Sequence, residues 1–239
     1  MTAYTNEKTG STTFEAPAIF TESFIPEKRS CAVYQENLMS MASSSENIKD
    51  PLQKKSLMEF LQEFKVLPAP VIRTLFKNIV EEVSKLHLNE SYHGDLNLEN
   101  ISFDQEYNVS LSPKVHICDS FLDGAYVDLI YLGEILFALC FGSVPYISLE
   151  DERYLAILNG DWELFWAINE EVLKVEKRGL NLSKSGLKDL ISTFLSGQAN
   201  SKYDLHQLLA HEWMKGTTLT PGQVRSLFNE VSKKMQKMM

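Results

Sequence analysis

Between residues 92 and 104 the sequence YHGDLNLENISFD sets His93, Asp95, Asn97 and Asn100 at fixed intervals between two apolar segments. A carboxylate such as Asp95 can take the proton of an attacking hydroxyl. An amide oxygen five residues on, that of Asn100, can join a second carboxylate in holding Mg²⁺ against phosphates. The second carboxylate downstream is Asp119, at the end of the β-like piece VHICD. The same residue types also have an architectural use, because Asp and Asn side chains cap turns and bond backbone amides. For His93 the alternatives are a core histidine satisfied by its neighbours and a general base.

Several elements must position this stretch. Before it, SLMEFLQEFK puts Leu57, Phe60, Leu61 and Phe64 on one helical stripe, with Asp50 and Pro51 as an upstream N-cap and first helical residue. PVIRTLFKNIVEEVSKLH then sets Val71, Ile72, Leu75, Phe76, Ile79, Val83 and Leu86 on one face of a longer amphipathic helix. After Asn100, ISF and VHICD read as two β-like pieces. YVDLIYLGEILFALCFG follows, apolar on nearly every side, with Asp128 and Glu134 as its only charges. It reads as a helix from Val127, buried all round and too short to span a bilayer comfortably. The remainder alternates helical patterns with Gly and Ser breaks, and Trp162, Phe165, Trp166 and Trp213 read as core.

Composition narrows the classes. With 44% hydrophobic residues, thirteen phenylalanines and three tryptophans, the 239-residue chain is not disordered. Its net charge of −9 argues against general nucleic-acid binding, which needs clustered Lys and Arg. Three cysteines without CxxC spacing indicate neither a disulfide framework nor a zinc site. The expectation is a cytoplasmic globular protein with no membrane segment.

The spacing H-x-D-L-x-x-x-N, carried by His93, Asp95, Leu96 and Asn100 and followed by Asp119, resembles the catalytic loop and metal-binding aspartate of the protein kinase fold. The order of the flanking segments is similar too. Two helices precede the loop, a buried helix follows it, and YLAILNGDWELFW, LKDLISTFL and DLHQLLAHEWM come in the sequence of a kinase C-lobe of the calcium/calmodulin-dependent serine/threonine type. The resemblance covers roughly residues 20 to 216. It implies a mainly α fold with a small β part: a kinase-like C-lobe with a truncated N-lobe remnant. The expected regions are a flexible arm over 1–18, a kinase-like domain over 19–216 (N-lobe remnant and hinge 19–50, helical C-lobe 51–216) and a basic amphipathic helix within 217–239.

The resemblance also assigns roles: Asp95 and His93 at the catalytic positions, Asn100 and Asp119 to Mg²⁺ and ATP, and Asp128 to backbone amides of the loop. Departures weigh against activity. Asn97 stands where the family has a lysine that neutralises the transferring phosphoryl group, and Gly94 stands where it has an arginine. No G-x-G-x-x-G occurs, CAVYQE lacks the strand lysine, and no long activation segment separates Asp119 from the buried helix. A pseudokinase scaffold for protein partners is therefore expected, with residual ATP and Mg²⁺ binding at most. The alternative is an active ATP-dependent phosphotransferase, either a serine/threonine protein kinase or a small-molecule kinase of the HGD type. The C-terminal stretch 221–239, with Arg225, Lys233, Lys234 and Lys237 around an apolar stripe, fits a calmodulin-like partner or docks on its own domain.

Overall fold

The computed structural model describes residues 4–5, 12–13, 54–64, 67–104, 106–113, 120–176, 186–196 and 205–236. The chain divides into two units, Met1–Ser30 and Cys31–Met239. In the first, Tyr4–Thr5 (β1) pairs antiparallel with Thr12–Thr13 (β2), in a segment whose sequence reads as an aperiodic arm. The stretch expected to be an N-lobe remnant and hinge, 19–50, lies outside the described residues, as do Asp50 and Pro51.

In the second unit Lys55–Ser56 (β3) leads directly into Leu57–Glu63 (α1). Ser56 opens that helix through a capping box: its hydroxyl accepts the Glu59 N–H at 3.1 Å, and the Glu59 carboxylate accepts the Ser56 N–H at 3.0 Å. Ala69–Leu88 (α2) carries Pro70 in its first turn, where a missing N–H costs nothing. It buries Val71, Ile72, Leu75, Phe76, Ile79 and Val83, the face that the helical period marks out.

Ile101–Phe103 (β4) lies between β3 and Val109–Leu111 (β5) in a three-stranded antiparallel sheet. This corrects the reading of DQEYNVSLSPK as a connection alone. The partner of ISF is VSL, inside the segment read as a connection, whereas 114–119 lie outside the described residues. The turn explains the choice. Asp104 accepts the N–H groups of Glu106 and Asn108 at 2.7 and 2.9 Å and so reverses the chain within a few residues.

Phe121–Phe141 (α3) begins six residues before Val127, a second correction. Asp123 and Gly124 read as a loop, yet Gly124 serves a contact: a Cβ there would lie 2.3 Å from the ring of Tyr92. Gly133 has the same use, since its Cβ would come within 2.8 Å of the Phe194 Cβ on Leu187–Leu195, three helices further along. At 21 residues α3 has the length and composition to cross a membrane, but 78% of its apolar window is packed inside the protein. Leu132, Ile135, Leu136 and Leu139 are buried in it, as the all-round apolar pattern predicts.

Glu152–Leu158 (α4), Trp162–Glu176 (α5), Leu187–Leu195 (α6) and Leu205–Leu209 (α7) complete the helical body, and Phe165, Trp166 and Trp213 are core residues. Pro221–Gln236 (α8) starts from a reciprocal cap between Thr220 and Gln223. Its Val224 and Phe228 are buried, and the Phe228 ring lies 4.7 Å from Phe60, 4.3 Å from Phe64 and 5.4 Å from Tyr107. Phe228 of this basic helix is thus turned onto α1 and the β4–β5 turn. Arg73 fastens the approach to α8 by donating to the Trp213 carbonyl at 2.6 Å while stacking over the Trp213 ring.

Candidate functional site

Residues 93–100 form the loop between α2 and β4. Its alternating pattern settles which way the side chains point: Leu96 and Leu98 are buried, while Asp95, Asn97 and Glu99 are not. Two backbone bonds fix its C-terminal end, Met58 N–H to the Leu98 carbonyl and Ser112 N–H to the Asn100 carbonyl, both at 2.8 Å. The first turn of α1 and the end of β5 therefore hold the loop on either side.

Its floor is Asp128, fully buried on α3. One carboxylate oxygen accepts the His93 N–H at 2.8 Å and the His87 Nε2–H at 3.0 Å; the other accepts the Gly94 N–H at 2.8 Å. A buried carboxylate is tolerated where donors surround it, and these three come from the end of α2 and the start of the loop. His87 is the member that sequence reasoning missed. The signal was present, since an ionisable residue inside an otherwise apolar helix requires donors, and His87 closes the preceding helix.

His93 is buried and both of its ring nitrogens are engaged. Nε2 donates to the Ser112 carbonyl at 3.0 Å and Nδ1 accepts the Asp95 N–H at 3.2 Å. The ring thus ties the loop to the strand beyond it and offers no free nitrogen to a substrate. Gly94 takes φ +80°, a left-handed conformation that L side chains avoid, where its own N–H and that of His93 meet Asp128.

Asp95 projects from the loop with both carboxylate oxygens engaged. Asn97 Nδ2 donates to Oδ1 at 3.2 Å, and Asn100 Nδ2 donates to Oδ2 at 2.9 Å and to the Asp95 carbonyl at 2.8 Å. Asn97 also caps the turn, its Oδ1 accepting the N–H groups of Glu99 and Asn100, each at 2.9 Å. Asp95, Asn97 and Asn100 are therefore one network, while Asp119 lies outside the described residues. Of the residues expected at a Mg²⁺–phosphate site, the described loop presents Asp95 and Asn100 bonded to each other; residues 93–100 contain no lysine, and among the described residues no three His, Cys, Asp or Glu cluster as they would around a metal ion.

A second polar pair sits further along α3. The Tyr146 hydroxyl donates to Glu134, whose carboxyl burial pushes up to about 7. Tyr146 packs against Tyr154 of α4 with ring centroids 4.9 Å apart and the planes tilted by 56°. This pair is remote in sequence from the loop and joins α3 to α4.

The chain is similar to serine/threonine protein kinases. Over 189 residues it is 24% identical to testis-specific serine/threonine-protein kinase 2 of Mus musculus, a match covering 66% of this chain and 49% of that kinase. Over 211 residues it is 26% identical to the phosphorylase b kinase gamma catalytic chain, liver/testis isoform, of Rattus norvegicus, covering 73% and 49%. Over 189 residues it is 27% identical to the cell cycle serine/threonine-protein kinase CDC5/MSD2 of Saccharomyces cerevisiae, covering 68% and 25%. The chain thus spans about half the length, or less, of the curated relatives it matches. No family model matches it. The likeness reaches the protein kinase superfamily and no finer level, and the mainly helical body with its small antiparallel sheet agrees with a kinase-like fold.

Proposed function

We propose that this chain is a pseudokinase: a kinase-like module that binds protein partners through its helical body and transfers no phosphoryl group. The observation that carries the reading is Asn97. Where kinases present a lysine to the transferring phosphoryl group, this side chain bonds Asp95 and caps the N–H groups of Glu99 and Asn100. Phosphoryl transfer rests almost wholly on positioning and charge stabilisation, so exchanging that cation for a neutral turn cap removes a main contribution to rate. The start of α3 supports the same reading. Helix begins at Phe121, right after Ser120, where the family places the activation segment that holds a peptide substrate. The order of helices around the loop favours descent from a C-lobe of the calcium/calmodulin-dependent type.

The reading is tested by assaying purified protein with ATP and Mg²⁺ on peptide, protein and small hydroxylated acceptors, beside Asp95→Asn. No turnover above the Asp95→Asn background is expected. Turnover that this substitution abolishes would refute it, since only catalysis needs that carboxylate. Melting with ATP and Mg²⁺ distinguishes retained nucleotide binding, because a ligand at a hundred times its dissociation constant adds about 2.7 kcal/mol. Little or no shift is expected.

A further inference from the structure

Among the described residues six large hydrophobic side chains are exposed, and four of them fall within residues 149–164: Leu149, Leu155, Leu158 and Leu164, each 37% to 45% exposed. Single exposed leucines need no explanation; a cluster does. Leu155 and Leu158 are three apart on α4 and so lie on one side of it, while the opposite side buries Tyr154, Ala156 and Ile157. At Gly160, φ +69°, the chain reverses. The Asp161 N–H reaches back to the Ala156 carbonyl at 2.8 Å and Asp161 in turn caps the Leu164 N–H at 3.0 Å. Leu158 and Leu164 therefore flank a tight helix–helix corner. Leu149 precedes the α4 cap, Asp151, which fixes the approach by accepting the Ile147 N–H at 2.9 Å.

The charge around these leucines has one sign. The stretch 149–164 holds five carboxylates and one cation, Arg153. That cation is already held by Asp151, with Nη2 at 2.6 Å and Nε at 3.0 Å. Glu150, Glu152, Asp161 and Glu163 remain around the leucines, all exposed. An apolar strip rimmed by carboxylates repels an anionic lipid surface and nucleic acid alike. It attracts a segment of the opposite sign that brings its own apolar anchors.

We infer that the α4–α5 corner is a docking surface for a basic amphipathic helix of a partner protein, whose apolar side chains seat between Leu155, Leu158 and Leu164 while its Lys and Arg side chains meet Glu152, Asp161 and Glu163. The chain's own basic helix does not supply this occupant, because its Val224 is already buried and its Phe228 packs on Phe60 of α1 and on Phe64. The surface is separate from the loop at Asp95 and stands whether or not the loop is active.

Fluorescence anisotropy on the full chain tests this with three labelled peptides of about eighteen residues. The first has leucines at i, i+3, i+4 and i+7 with lysines elsewhere; the second replaces lysine by glutamate; the third replaces leucine by serine. Only the first should bind, more weakly as salt is raised, and Leu155→Ser/Leu158→Ser should weaken it at least about tenfold. Glu152→Lys/Glu163→Lys should do the same, and is the deciding variant if the leucine pair fails to fold by melting. Equal binding of the first and third peptides, or binding unchanged in the folded variants, overturns the inference. So do binding to anionic vesicles lost in the leucine variant, and self-association lost in that variant, which would name a membrane or a second copy as the occupant.

Discussion

The Asp128 carboxylate accepts the backbone N–H of Gly94 at 2.8 Å across 34 residues of sequence, and its other oxygen accepts those of His93 and the His87 ring. This one side chain thus fastens the candidate loop and the end of α2 to α3. Asp128→Ala would leave two buried backbone N–H groups and a histidine ring without their acceptor. Urea denaturation should show a loss of about 3 to 5 kcal/mol, and Asp128→Asn a smaller one, because its amide oxygen can still accept some of the three donors though not all.

Gly94, bonded to Asp128 through its N–H, has φ +80°. Gly94→Ala should cost about 1 to 2 kcal/mol through the left-handed conformation, and Gly94→Arg, which restores the family's residue, no less. Gly160→Ala is the control. Its φ is +69° with nothing within 4 Å of the new Cβ, so its loss reports strain alone. A Gly94→Arg protein as stable as wild type would show that the loop adopts another conformation.

Leu136 is completely buried in the middle of α3. Leu136→Ala should cost about 2 to 5 kcal/mol in chemical denaturation, from lost burial and the cavity left behind. That is a large share of an ordinary domain's stability of about 5 to 15 kcal/mol. A loss below about half a kcal/mol, the range of surface changes, would mean that α3 is not the central helix.

Glu134 gives a pH dependence. Burial raises its carboxyl from the ordinary 4.5 to about 7, and the Tyr146 bond offsets only part of that. A raised folded value means that the native state keeps a proton that the unfolded chain has already released. The stabilisation is complete below about 4.5 and is lost as pH rises to about 7, beyond which this group adds no further slope. Glu134→Gln, which keeps a neutral polar side chain, should flatten the stability profile over that window. An unchanged profile would place the carboxylate in solvent.

Much of the helical body was legible from residue order alone. The 3.6-residue period of Val71, Ile72, Leu75, Phe76 and Ile79 marks the buried face of α2, and the all-round apolarity of 127–141 marks α3 as interior, because both follow from local spacing and hydropathy. The loop was legible as a unit, since His93, Asp95, Asn97 and Asn100 lie within eight residues of one another. Long-range pairing decided the rest. Gly124 and Asp123 read as loop residues until the ring of Tyr92 packs on the glycine and lets α3 begin at Phe121. VSL pairs with ISF because Asp104 closes the turn between them. Whether Asp95 stands free or bonded by Asn97 and Asn100 depends on a backbone path set by Asp128, a residue on another helix. Spacing can name the side chains of such a network, but which donor meets which acceptor is fixed only when distant segments are brought within about 3 Å.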